Sequence, residues 1–270
     1  MKFYVACFMV LLLAGCSSFN KILKNPDPKY KLQMAEQYYT KKKYSQAQQL
    51  YEDVMPFYRG QPEFEDIFYK YAYTAYNQKD YVNAENLFKN YLEVYPNGQR
   101  SEEIDYMRAY SFYKQSPKAA LDQTSTLKAI GMMQTFINTH PGSGRSKDAS
   151  VIIDGLREKL EVKDRNAAQL YYDIGQYRAA AVAFNTMLNQ YADTHNGDRY
   201  KLMAVKAYFR FAELSVEDKK GERFEKVLEE ANDFMDRFPD SPLAAEVKEY
   251  ISKSRDNLKI YTNEPVKTST

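Results

Sequence analysis

One cysteine stands where its thiol can be modified covalently. Cys16 follows an apolar run of about eleven residues (3–13) and the small pair Ala14-Gly15. A run of this length suits the core of an export signal and is too short to span a bilayer. Small residues directly before a cysteine are typical of a bacterial lipobox. We therefore expect cleavage before Cys16, a diacylglycerol on its sulfur and an N-acyl chain on the new amino terminus.

The residue after the cysteine bears on where the chain is delivered. Ser17 follows Cys16 instead of an aspartate, as in lipoproteins sent to the outer membrane of a Gram-negative cell. Several acyl chains anchor firmly, because each buried methylene contributes about 0.8 kcal/mol. We expect a signal peptide over residues 1–15 and a lipid-anchored tether over 16–28, facing the periplasm. The alternative is an ordinary cleavage site with an incidental cysteine.

No other residues form a catalytic, metal-binding or phosphate-binding pattern. Cys7 lies in the leader, and His140 and His195 are too far apart in sequence to suggest a metal pair. The segment GSGRS at 142–146 lacks the spacing and the lysine of a phosphate-binding loop. A formal net charge of +2 argues against a nucleic-acid partner. The sequence predicts no enzymatic activity, no cofactor and no metal.

The rest of the chain repeats one pattern. Three segments share an aromatic residue, an alanine three positions on, and an aromatic four positions after that. They are Tyr44, Ala47 and Tyr51; Tyr81, Ala84 and Phe88; and Tyr177, Ala180 and Phe184. Less regular copies place Ala129 and Val227 at the alanine position, and Pro96, Pro141 and Pro239 close three of the copies. Spacings of three and four put these residues on one helical stripe, and proline ends a helix.

Helix pairs of this kind are typical of the tetratricopeptide repeat. The sequence predicts an all-α, right-handed solenoid of about five such pairs over residues 29–261. The expected pairs are about 29–58, 64–96, 101–141, 146–192 and 199–239, with a last helix at 243–261 and a flexible tail at 262–270. Solenoids of this class expose the first helix of each pair along a concave groove.

Tyrosines recur on these first helices, apart from the packing stripe. The register places Tyr39, Tyr69, Tyr73 and Tyr76 at inward positions, and Tyr106, Tyr110 and Tyr113 follow in the third pair. A tyrosine offers a flat ring and one hydroxyl at a small entropic cost, which suits peptide capture. We predict a peptide-binding groove at Tyr39, Tyr69, Tyr73 and Tyr76. The alternative is that these rings pack between neighbouring helices.

Two segments carry a family resemblance. AEQYYTKKKYSQAQQLYEDV, from residue 35, and DQTSTLKAIGMMQTFINTHPGS, from residue 122, are similar to the BamD family of outer-membrane β-barrel assembly lipoproteins. Together with the lipobox and the repeats, the resemblance covers about residues 13–261. The chain departs from the family in its low proline content, in His140 where an aromatic is usual, and in Gly142 before Ser143.

The resemblance implies a scaffold in the β-barrel assembly complex. Its expected partners are a BamA-like barrel protein, unfolded outer-membrane protein precursors and other accessory lipoproteins. The tyrosine groove would bind precursors, and residues 165–239 would contact the barrel protein, with Arg199, Lys201 and Arg210 as candidate ion-pair donors. The alternative is a periplasmic repeat lipoprotein that coordinates cell-wall synthesis or pilus secretin assembly.

Overall fold

The computed structural model describes residues 19–262, and every regular element within that range is an α-helix. Cys16, the tether up to residue 18 and the tail from residue 263 lie outside the described residues. After a short helical segment at 19–23, the helices are α1 (Pro28–Thr40), α2 (Tyr44–Tyr58), α3 (Phe64–Asn77), α4 (Tyr81–Val94), α5 (Ser101–Gln115), α6 (Thr124–Thr139), α7 (Ser146–Asp173), α8 (Tyr177–Gln190), α9 (Gly197–Glu213), α10 (Glu217–Arg237) and α11 (Ala244–Thr262).

Consecutive helices pack against each other as pairs. The pairs α1–α2, α3–α4, α5–α6 and α9–α10 are in contact, and α11 packs on α10. Ala168 of α7 shares a core with Phe184 and Met187 of α8, which makes the remaining pair. The predicted all-α class of tetratricopeptide-like pairs with a final helix is confirmed.

The alanines of the repeat pattern lie at the helix crossings. Ala47, Ala84 and Ala180 are completely buried, and the aromatic residue one turn later is buried with them. Without a larger side chain at the crossing, the two helices approach closely, and the aromatic ring fills the space beside it. These sites bury large apolar side chains, each of which stabilises the fold by about 1.5–3 kcal/mol.

The second helices of three repeats end in the same backbone conformation. Tyr95, His140 and Phe238 stand directly before the repeat prolines, with φ near −125 to −130° and ψ of 56 to 66°. A proline disfavours helical angles in the residue before it, which accounts for the stop. Tyr191 takes the same conformation without a following proline. The repeat geometry therefore holds even where the proline signal is missing.

The chain divides into two compact units, which we call unit 1 (Met1–Arg157) and unit 2 (Glu158–Thr270). The division falls within α7, a helix of 28 residues. Its early residues Ala149 and Ile153 join the unit 1 core around Phe136, whereas Ala168 belongs to a core of unit 2. This long helix accounts for the wide spacing between Ala129 and Ala180 in the sequence.

Candidate peptide-binding surface

Three of the predicted groove tyrosines form a continuous row on α3. The ring centroids of Tyr69 and Tyr73 are 4.7 Å apart, and those of Tyr73 and Tyr76 are 6.2 Å apart. Each side chain is half-buried. Beneath them, Phe88 of α4 lies 5.3 Å from the ring of Tyr73. The rings therefore pack on the core on one side and remain accessible on the other, so each of the two sequence interpretations describes part of their environment.

The row continues onto α5. Tyr76 contacts Tyr110 at a centroid distance of 6.4 Å, and Tyr110 lies 5.7 Å from Tyr106 and 5.2 Å from Tyr113. We call this set the tyrosine ladder; its members are Tyr69, Tyr73, Tyr76, Tyr106, Tyr110 and Tyr113. Because the ladder spans the first helices of two neighbouring pairs, it forms one aromatic surface within unit 1.

Tyr39 occupies a different environment from the other predicted groove residues. Its ring contacts Tyr44 and Tyr51 of the same helix pair, at 5.7 and 6.2 Å. Burial, and next the proximity of Tyr69, raise the pKa of the Tyr39 hydroxyl to about 12. Tyr39 therefore lies beside the tyrosine ladder but outside its row of ring contacts.

A carboxylate fixes two of the ladder hydroxyls. The Tyr69 hydroxyl donates to Glu103 Oε1 at 2.8 Å, and the Tyr73 hydroxyl donates to the same oxygen. Burial, followed by these bonds to Glu103, raises the pKa of both hydroxyls, so they stay protonated donors. Two rings are thus held in one orientation by a single acid on the next helix pair.

An ionic chain borders the same side of the ladder. Lys70 Nζ lies 2.7 Å from Glu36 and 2.6 Å from Asp66, and Asp66 accepts a 3.0 Å hydrogen bond from Arg100. Burial opposes the charge of Asp66, but the hydrogen bonds from Lys70 and Arg100 outweigh it and lower its pKa. The Arg100 guanidinium also lies 4.4 Å from the centre of the Tyr69 ring. Charges at this end of the surface are therefore paired internally.

The charged partners of the tyrosine ladder were not predicted, although the sequence carries a signal for them. Several contacts join residues one repeat apart, which lie on successive first helices or directly before them. The pairs separated by 34 residues are Glu36 with Lys70, Asp66 with Arg100, and Tyr69 with Glu103. Complementary residues at an offset of 34, the length of a tetratricopeptide repeat, indicate neighbouring helices.

The surface offers two kinds of contact that suit an extended peptide. Its exposed ring faces can take apolar or aromatic side chains. Among the described residues, the hydroxyls of Tyr76, Tyr106 and Tyr113 have no hydrogen-bond acceptor, so they can donate to a guest. Such a set of flat rings and free donors is typical of peptide capture.

Lys201 was predicted to be an ion-pair donor to a partner of unit 2, and its position in the structure contradicts that role. Its side chain is 5% exposed, and its ammonium lies 2.6 Å from Glu230 and 2.5 Å from Asp233. A buried ammonium with two internal carboxylates cannot serve as a surface donor to a partner. The sequence did not predict this because an isolated lysine within a helix carries no sign of its burial.

The other two predicted donors of unit 2 lie at the surface. Arg199 is exposed on the first turn of α9. Arg210 pairs with Glu213 at 2.6 Å, and its guanidinium lies 5.7 Å from the centre of the Tyr177 ring. An exposed pair of this kind contributes little to stability, so Arg210 can exchange Glu213 for another carboxylate at small cost.

Consecutive paired helices define the chain as a tetratricopeptide-like repeat protein. Over the part that the structure describes, no helix combines the length and apolar character needed to cross a membrane. The family model of YfiO, described as an outer membrane lipoprotein, matches residues 26–221. The chain therefore belongs to the YfiO family, the BamD family of outer-membrane lipoproteins.

Two further comparisons were made. The TPR2AB domain of yeast Sti1, solved as a pHSP90 complex, is 13% identical, with a TM-score of 0.41, and the match covers 84% of this chain and 98% of that one. No curated protein sequence matches the chain.

Proposed function

We propose that the chain is a scaffold of the β-barrel assembly machinery. Acyl chains on Cys16 hold it to the periplasmic face of the outer membrane. The tyrosine ladder of unit 1 binds unfolded barrel precursors, and the surface of unit 2 binds a BamA-like barrel protein. Other accessory lipoproteins complete the complex.

The tyrosine ladder is the observation that carries this proposal. Barrel strands alternate apolar residues outward, with girdles of aromatic residues at the membrane interfaces, so an unfolded strand presents aromatic side chains in an extended chain. The ladder offers ring faces at intervals of about 5–6 Å. Side chains on one face of a strand recur about every 6–7 Å, which is close to that interval.

The experiment is a titration of the purified mature domain with a labelled peptide from the last strand of a barrel protein, followed by fluorescence anisotropy. Tyr76→Ala removes a ring that has no hydrogen bond to Glu103 and should weaken binding about tenfold, which is the size of one lost hot-spot ring. Tyr71→Ala is the matched control, because Tyr71 is half-buried on another side of α3. Equal affinity of both variants and the wild type would overturn the groove assignment.

The barrel partner is tested by co-purification. Affinity capture of the tagged chain from detergent-solubilised membranes should recover a large β-barrel protein. The double variant Arg199→Glu with Arg210→Glu should reduce that recovery, whereas reversal of the exposed charge at Lys89 in unit 1 should leave it unchanged. Recovery of a secretin or of a cell-wall synthase, with no barrel protein, would contradict the proposal.

A further inference from the structure

One end of the tyrosine ladder holds an ammonium group that has no carboxylate partner among the described residues. Lys114, at the end of α5, lies 5.0 Å from the ring centre of Tyr110 and 5.6 Å from that of Tyr113. Its side chain is exposed, and no carboxylate of the described residues lies within ion-pair distance of its nitrogen. This contrasts with Lys70 and Arg100, whose charges are neutralised at the other end.

Four tyrosines lie near this ammonium. Besides Tyr110 and Tyr113, the phenols of Tyr76 and Tyr81 are close enough to interact with its charge. Tyr76 and Tyr81 are themselves in contact, with ring centroids 5.5 Å apart. The hydrogen bond with Tyr110 raises the pKa of Lys114, so the group is charged at neutral pH. The ammonium and the phenolic hydroxyls beside it can all donate hydrogen bonds to a guest.

We propose that Lys114 and its ring of tyrosines form a carboxylate subsite that receives the chain terminus of the guest peptide. A carboxylate accepts several charge-assisted hydrogen bonds at once, which matches an ammonium flanked by hydroxyls. The subsite lies beside Tyr76, at the end of the row formed by Tyr69, Tyr73 and Tyr76. A guest that occupies those rings and whose chain ends just beyond Tyr76 would therefore place its terminal carboxylate beside Lys114. This inference rests on the proposed binding of peptides to the ladder.

The test compares two forms of one barrel-derived peptide, with a free terminal carboxylate or a carboxamide, at low salt and neutral pH. The free acid should bind the wild-type chain about tenfold more tightly than the amide, as expected for one charge-assisted contact. Lys114→Met should abolish the difference by weakening binding of the acid alone, and Lys114→Arg should restore part of it.

Lys128→Met provides the matched control. Lys128 is also an exposed lysine of unit 1 whose ammonium lies over an aromatic ring, 5.8 Å from the centre of Phe112. It should leave the affinities of both peptides unchanged. A third peptide, which is amidated and carries an internal glutamate, tests whether a side-chain carboxylate can replace the terminal carboxylate. Tight, Lys114-dependent binding of this peptide alone would overturn the terminal assignment.

The outcomes separate this inference from the groove itself. Equal, Tyr76-dependent binding of acid and amide to the wild type would refute the carboxylate subsite and leave the groove in place. Failure of every peptide to bind would refute both. A tenfold preference for the acid that persists in Lys114→Met would place the carboxylate elsewhere and also overturn the inference.

Discussion

The ammonium of Lys201 is buried inside unit 2, and removing it leaves the carboxylates of Glu230 and Asp233 without this ion-pair partner. Glu230 is 6% exposed, and it accepts from Lys201 and from Asn185, at 2.6 and 2.9 Å. Lys201→Met should therefore lower the free energy of unfolding by about 3 kcal/mol, as breaking a buried ion pair does. Arg199→Met, which removes an exposed charge two positions earlier, should change it by less than about 0.5 kcal/mol. Urea unfolding followed by circular dichroism measures both, and equal effects would contradict the burial of Lys201.

The same ion pair makes stability depend on pH. Burial raises the pKa of Glu230, but the hydrogen bonds from Lys201, Asn185 and Lys226 outweigh it, and the net pKa is below the ordinary value of 4.5. A carboxyl with a lowered folded pKa contributes stability above its unfolded pKa, and that contribution is lost as the pH falls through the folded value. Unfolding free energy should therefore drop below pH 4.5. The drop should be shallower in Glu230→Gln, and identical slopes in the two proteins would contradict this assignment.

Two buried serines differ in one respect that can be measured. Ser111 and Ser254 are both fully buried, but Ser111 Oγ donates to the Met107 carbonyl oxygen at 2.8 Å, whereas Ser254 Oγ has no partner. An unsatisfied buried hydroxyl costs about 1–3 kcal/mol, so Ser254→Ala should stabilise the chain by about 1 kcal/mol. Ser111→Ala should destabilise it by a similar amount. Thermal unfolding would show opposite shifts, and a lower melting temperature for Ser254→Ala would be the contrary result.

At the scale of elements, the turn between the two helices of a pair recurs with the same backbone conformation but with different residues. Lys42, Lys79 and Gly175 occupy equivalent positions with φ of 56, 64 and 79°. At each turn, the N–H of the next residue bonds a carbonyl five positions back, as Asp80 does with Ala75 at 3.1 Å. Such helix-ending turns favour glycine, since a side chain in the left-handed region is strained.

Replacing the lysines in these turns by glycine should therefore increase the free energy of unfolding. Lys79 is exposed, and Lys79→Gly should stabilise unit 1 by about 0.5–1 kcal/mol, because the left-handed strain exceeds the entropy that glycine adds. Gly175→Lys is the mirror change in unit 2 and should destabilise by a similar amount, since its added side chain meets open space and only the backbone conformation matters. Urea unfolding of the two variants should shift in opposite directions, and a shift in one direction for both would exclude this explanation.

The spacing of residues in the sequence predicted the helices and their buried faces well. It did not predict which charged residues contact the tyrosine ladder. Ala47, Ala84 and Ala180 were predictable because helical periodicity alone decides which face is buried. Glu103, Lys70 and the burial of Lys201 depend on which helices become neighbours, and that information lies one repeat away in the sequence. The fold class could therefore be predicted from local sequence spacing, whereas the charged residues that contact and border the tyrosine ladder could be identified only from the three-dimensional structure.

At the scale of the whole molecule, the proposed function requires attachment to the membrane at one residue, Cys16. Cys16 is followed by eleven residues before Pro28, where α1 begins. A single acyl chain binds a membrane only marginally, so stable attachment requires more than one chain. The proposed diacylglycerol and N-acyl chain on Cys16 would meet that requirement.

Cys16→Ser should consequently release the protein from the membrane. In the native host, the wild-type chain should stay with outer-membrane fragments through a carbonate wash, and mass spectrometry should find its amino terminus at residue 16 with acyl chains attached. The variant should be recovered in the soluble or unprocessed fraction. Cys7→Ser is the matched control, because Cys7 lies in the leader and should not affect attachment. An unmodified residue 16 in a chain that still resists the wash would mean that another part of the protein binds the membrane.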